Sequence, residues 1–181
     1  MSIIDKTYFD DLDITIPYDE EGLDTILNHI TKYEPEILRK ALGSTLYELM
    51  IADPTNSPYK EIMDGKDYTV NYGGVDHTVK WNGLKNTAKI SLIAYYVYYW
   101  WQRNHVTITI YSGEIKPGFE NAVSASLAMK IQAAWLRLEH LYGYPGQGIL
   151  EPSLYNFLSE HENDYPAWVF YPLGSVNAFD L

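Results

Sequence analysis

Residues 90–101 read ISLIAYYVYYWW, the longest uncharged apolar run in the chain. A membrane-spanning helix needs about 20 such residues, whereas runs of about 10–14 belong to buried helices. The run therefore predicts a helix enclosed by protein. Its second half is apolar on nearly every side, which implies burial all round and not along one stripe. Consecutive aromatics on a helix point in different directions, so most of Tyr95 to Trp101 is expected in the core. The competing reading is a sugar or base platform built from the same rings. Asn82 is the expected cap of this helix.

Downstream, Thr107 to Ile110 alternate as extended chain, and Gly113 with Pro117-Gly118 marks a loop. A long helix follows, with Phe119, Val123, Leu127, Ile131, Ala134, Trp135, Leu138, Leu141 and Tyr142 recurring at steps of three and four. Gly143 is its expected stop. A short helix is expected near 152–161, after which PAWVFYPLGSVNAFDL (166–181) shows no helical period. That tail is an extended arm with too much apolar surface to float free. It either packs on its own domain or docks on another chain.

Upstream, residues 67–81 (DYTVNYGGVDHTVKW) change to a period of two on either side of Gly73-Gly74. This is a two-stranded hairpin signal. An isolated hairpin is marginal in water, so it must lie on the helices or on another subunit. Residues 19–52 read as two or three short helices. Acidic residues 19–21 open the first, Pro35 the second at its first position, and Gly43 with Ser44 separates the last. A further short helix is expected over 58–63. Residues 1–18 alternate acids with apolar residues and form a short strand or a strap laid on a neighbour.

The fold expectation is a mainly α protein, a small helical bundle with one inserted β-hairpin and extended N- and C-terminal arms. Its divisions are an acidic arm over 1–18, a helical domain over 19–164 carrying the hairpin at 67–81, and a C-terminal arm over 165–181. At 181 residues the chain suits one domain, and 46% hydrophobic residues with 17 tyrosines supply a core. The opening MSIIDKTYFDDLD has neither the basic start nor the apolar stretch of a signal peptide, so the cytoplasm is the expected compartment.

The net charge of −11 is unevenly placed. Residues 1–66 hold 14 acids against 6 bases, residues 67–145 hold 5 against 7, and residues 146–181 hold 5 acids and no base. Nucleic-acid affinity comes largely from Lys and Arg neutralising phosphates. With no basic stripe, tight DNA or RNA binding is not expected.

Catalytic and metal signatures are missing from the sequence. Without cysteine there are no disulfides, thiolate metal sites or cysteine nucleophiles. His29, His77, His105, His140 and His161 are scattered and fit no zinc spacing. No Glu-x-x-His pair, Gly-x-Ser-x-Gly elbow, Walker loop or Ca²⁺ loop occurs. The Glu34/Glu36 and Asp11/Asp13 pairs sit at an expected helix start and in a polar arm, where solvated or capping roles are commoner than acid–base work. Gly143, Gly146 and Gly148 follow a helix and not a strand, unlike a phosphate cradle. The chain is expected to be no enzyme and to need no cofactor.

Four stretches together resemble the head–tail connector (adaptor) proteins of tailed bacteriophages and related prophages. They are YEPEILRKALGSTLYELM (33–50), the aromatic helix (88–101), the long helix (119–142) and the ending GSVNAFDL (174–181). The likeness is one of layout across most of the chain. It implies a non-catalytic subunit of a homo-oligomeric ring beneath the portal, with the portal and other connector or tail proteins as partners. DNA would pass through the channel, no membrane is involved, and the protein would move from the host cytoplasm into the virion. The acidic N-terminal arm departs from the family pattern. A ring needs contacts between different faces of one subunit, and the arms and hairpin are the candidates. The expected interface residues are Ile14, Ile16, Tyr72, Trp81, Trp168, Phe170, Tyr171, Asn177 and Phe179. The alternative is a small protein- or ligand-binding module using a Tyr/Trp-rich surface.

Overall fold

The computed structural model describes residues 2–10, 14–16, 20–106, 108–110, 113–115 and 124–174. Among them are six α-helices, one 3-10 turn and two separate two-stranded antiparallel sheets. The mainly helical architecture with a hairpin at its side matches the sequence expectation. The second sheet was not anticipated. It pairs β3 (Ile108–Ile110) with β4 (Gly113–Ile115), so the stretch read only as extended is half of another small hairpin.

The centre is α4 (Leu92–Val106), which packs on α1 (Glu20–Leu42) on one side and α5 (Ser124–Tyr142) on the other. Leu92 to Tyr99 are all buried, as the run predicts. Stacking links the layers: Tyr33 of α1 lies parallel to Trp100 of α4 with ring centroids 5.3 Å apart, and Tyr99 meets Trp135 of α5 at 4.7 Å. Each such pair adds about 0.5–1.5 kcal/mol beyond area burial. The Tyr96 hydroxyl donates to Glu36 Oε1 at 2.6 Å, and Lys40 Nζ donates to the same oxygen at 3.0 Å. This ties α4 to α1 at the edge of the core.

Two helix boundaries differ from the sequence reading. Residues 20–42 form one helix of 23 residues with Pro35 inside it, not two helices meeting at the proline. An interior proline costs about 3 kcal/mol. The buried stripe Ile26, Ile30, Tyr33, Ile37, Leu38, Ala41 and Leu42 runs straight through it. Each fully buried Ile or Leu contributes about 1.5–3 kcal/mol, so continuous packing outweighs the break. The aromatic helix, expected from Asn82, begins at Leu92. Between them the Asn86 side chain folds the chain into a loop, donating to Ile90 O at 2.6 Å and accepting from Ile90 N at 3.2 Å. Ser91 then caps the helix, its hydroxyl accepting from Ile93 N. The expected start of α5 at Phe119 lies outside the described residues.

The described stretches near both ends, residues 2–10 with 14–16 and residues 165–173, fold back on the body. The 3-10 turn Lys6–Phe9 and its flanks bury Ile3, Ile4, Tyr8, Phe9, Ile14 and Ile16 in the common core. The Tyr8 hydroxyl clasps Asn86, accepting from its N–H at 3.0 Å and donating to its carbonyl at 3.3 Å. At the other end, after α6 (Leu154–Glu160), residues 165–173 cross the C-terminus of α1. A helix end leaves its last four carbonyls unpaired. Here Arg39 O accepts from Gly43 N, Lys40 O from Tyr171 N, Ala41 O from Trp168 Nε1, and Leu42 O from Val169 N. The strap caps three of the four. Gly43 sits beneath it at φ 77°, where a Cβ would lie 3.0 Å from that of Val169. Its conformation and the close crossing both demand glycine.

Candidate functional site

The hairpin joins β1 (Lys66–Tyr72) to β2 (Val75–Trp81) through Gly73 and Gly74, whose φ values of 64° and 82° suit the tight turn favoured by right-twisted strands. The register pairs Lys66 with Trp81, Tyr68 with Val79, Val70 with His77, and Tyr72 with Val75. Side chains alternate along a strand, so these four pairs share one face. The opposite face is polar throughout: Asp67 with Lys80, Thr69 with Thr78, and Asn71 with Asp76, where Asn71 Nδ2 donates to Asp76 Oδ1 at 2.6 Å.

The apolar face is covered at its root and bare at its tip. Trp81 stacks on Phe157 of α6 and donates from Nε1 to Ile62 O at 3.1 Å, and Tyr68 meets Phe157 edge-on. Tyr68, Val70, Val79 and Trp81 are buried. One pair further out, Tyr72 is 60% exposed and Val75 58% exposed. The ring of Tyr72 touches only the half-buried His77 among the ring contacts of the described residues. The apolar face therefore outruns the body by one pair.

A groove lies at the root of the same hairpin. Ile3, Ile51, Pro54 and Met63 line it together with Lys60 and Lys85, and its volume is about 240 Å³. Asp64, which also lines it, pairs with Lys60. Lys85 is exposed and makes no ion pair among the described residues, although it lies in the field of Asp5.

The expected interface residues divide into four groups. Ile14, Ile16 and Trp81, where the sequence expects an interface, are buried in this chain's own core. The physical reason is that the N-terminal residues close the α1–α4 layer while Trp81 seals the hairpin root on α6. Trp168 and Phe170 are half-buried in the strap, against Tyr155 and, for Phe170, Tyr142. Tyr171 is mostly exposed, although its carbonyl accepts from the Tyr142 hydroxyl at 2.6 Å. Tyr72 is free at the tip. Asn177 and Phe179 lie outside the described residues. The aromatic run 95–99 forms no platform, being core throughout.

The carboxylate reading also changes. Glu34 was placed at a solvated helix start, but the continuous α1 puts it inside, at 5% exposure. Its carboxylate accepts from Ser2 Oγ at 2.9 Å, from Ile3 N at 2.9 and 3.1 Å, and from Ile4 N at 3.2 Å. Burial pushes its pKa up, against the lowering effect of those donors. It is a latch for the N-terminal segment. The sequence signal was its phase, four residues after Ile30 and three before Ile37. Among the remaining singled-out groups, His140 faces Glu151 at 3.5 Å, and Arg103 donates to the Tyr99 hydroxyl at 2.7 Å. Among the described residues no three His, Asp or Glu side chains gather as a metal site, and no helix is long and apolar enough to cross a membrane.

No family model, curated protein or solved structure matches this chain. The functional reading therefore rests on the geometry of these surfaces and on the layout of the sequence.

Proposed function

We propose that this chain is a structural subunit of a phage head–tail connector ring, seated beneath the portal and acting without catalysis. One observation carries the reading furthest: the hairpin presents an apolar pair, Tyr72 and Val75, beyond the helices that cover the rest of that face. An exposed apolar pair at the end of an ordered projection supports a contact with another chain. Assembly runs through this tip and through the outer side of the C-terminal strap, where Val169 and Tyr171 are exposed. The N-terminal arm is left out of it, because its described apolar residues Ile3, Ile4, Tyr8, Phe9, Ile14 and Ile16 are buried in the core.

The test is binding to the portal ring encoded by the same genome. Mixed with that ring and imaged by electron microscopy, the chain is expected to add a coaxial layer of density at the portal's tail-facing end. Absence of the layer, with the gene lying among metabolic genes instead of portal, capsid and tail genes, would overturn the proposal.

A further inference from the structure

The hairpin carries a plug at one end and a socket at the other. The groove is built at its root, between residues that immediately precede β1 (Met63, Asp64) and follow β2 (Lys85). The tip lies six strand residues away, about 20 Å at roughly 3.3 Å per residue. A stiff element of that length cannot fold its own tip back into its own root. The two ends can meet only between copies.

We propose that the Tyr72/Val75 tip of one copy seats in the root groove of a second copy, as a repeating head-to-tail contact. Size supports the match: a cavity of ~150 Å³ accepts a benzene ring, and the groove offers about 240 Å³ with Ile3, Ile51, Pro54 and Met63 as its apolar lining. Charge supports it too. The tip brings one acid, Asp76, exposed on the polar face behind Tyr72 and Val75 and bonded to the neutral Asn71 amide. The groove lining brings Lys85, which has no ion pair among the described residues although it lies in the field of Asp5. No like charge crowds Asp76 at the tip itself, since it is the one Asp or Glu among residues 71–77. A contact between two different patches of one subunit generates a ring if the rotation closes and a filament if it does not. The inference deepens the connector reading and rests on it for its setting, by naming the surface through which neighbours in the ring would touch.

The absence of native cysteine makes the contact directly testable. Val75→Cys and Ile51→Cys are introduced in separate copies, both at exposed positions. The copies are mixed at about 1 mM, enough to populate even a millimolar contact, and treated with a short bis-maleimide. A mixed tip-to-groove dimer is expected, and one copy carrying both cysteines should give a ladder of higher species. Tyr72→Ser in the tip copy should lower the yield about tenfold, the effect of losing an aromatic anchor. Asp76→Lys in the tip copy should lower it as well, and Lys85→Glu in the groove copy should restore it. Thermal melting of each variant checks that the fold is intact. Crosslinking of Val75→Cys copies only with one another, or no crosslink between the mixed copies, would overturn the contact. Either result leaves the connector reading to its own assay. Portal density without the tip-to-groove crosslink sinks this inference alone, and the crosslink without portal density sinks the connector reading alone.

Discussion

Glu34 and Tyr68 are buried polar groups with opposite accounts. Glu34 is fully engaged by donors from residues 2–4 yet penalised for its charge, because burial raises its pKa over the lowering effect of those bonds. Removing the acceptor leaves two buried backbone N–H groups unpaired, at about 1–3 kcal/mol each. Glu34→Ala is therefore expected to destabilise by about 2–4 kcal/mol, in urea unfolding followed by far-ultraviolet circular dichroism. Glu34→Gln keeps an acceptor and drops the charge, and is expected to lie within ~1 kcal/mol of the parent at neutral pH. The pH dependence has a definite sign. A folded-state pKa raised above the unfolded one gives stability that is complete below the unfolded value and lost as pH rises through the folded one. The melting temperature of the parent relative to Glu34→Gln should fall over the interval that begins near the ordinary glutamate value of about 4.3 and runs upward through the raised folded one. A rise over that interval would show that the hydrogen bonds, and not desolvation, dominate. Tyr68 differs in that its buried hydroxyl has no partner among the described residues, and burial with the nearby Glu160 pushes its pKa up to about 12. Tyr68→Phe deletes an unsatisfied group and keeps the ring against Phe157, so it is expected to stabilise by about 1 kcal/mol in the same unfolding assay.

At the scale of elements, the C-terminal strap is the least obvious piece of the fold and one of the most consequential. Residues 165–173 supply three caps to the end of α1 and wedge Trp168 and Phe170 between that end, Tyr142 and Tyr155. Trp168→Ala removes a half-buried indole and the cap on Ala41, which should cost about 2–4 kcal/mol. For a chain of this size that lowers the melting temperature by roughly 6–12 °C. The shift should be the same at every protein concentration, since the contact is made within one chain. A shift that vanishes on dilution would mean the strap is exchanged between copies. The strap also shows where sequence reading stops. The period-two hairpin and the buried aromatic helix were legible because each announces itself within a dozen residues. Tyr165 to Phe170 have no period, and their partner, the end of α1, lies more than a hundred residues away. Only Gly43 hinted at it, through a stop whose close crossing by Val169 no local pattern reveals. Pro35 misled for the converse reason: its local signal is strong, and only the tertiary stripe through α1 overrides it. At the candidate site, Tyr72 could be singled out from alternation alone, whereas Trp81 could not be separated from it. Both occupy the same face, and burial depends on how far α6 reaches along the hairpin.

For the whole molecule, the consequential quantity is the charge of −11 and how its few cations are spent. Lys40 is paired with Glu36, Lys60 with Asp64, and Lys66 with Glu61. Exposed pairs of this kind add little stability, about 0–1 kcal/mol, but they keep those cations from presenting an unopposed positive surface. Affinity for duplex DNA requires several Lys or Arg side chains to replace condensed counterions at once, and proteins built for it reach non-specific dissociation constants of about 10⁻⁴–10⁻⁶ M at physiological salt. This chain has 13 Lys and Arg against 24 Asp and Glu, and its last 36 residues contain no base. It is expected to leave the anisotropy of a fluorescent 30-base-pair duplex unchanged at about 10 μM protein and ~0.15 M salt. Lowering the salt lengthens the range of repulsion as well as attraction, so no binding should emerge at ~0.02 M either. A dissociation constant at or below about 10 μM would overturn this expectation and require a local basic surface strong enough to defeat the net charge. The expected result suits a subunit beside a DNA channel, where a wall that held phosphates would slow the passage of the genome.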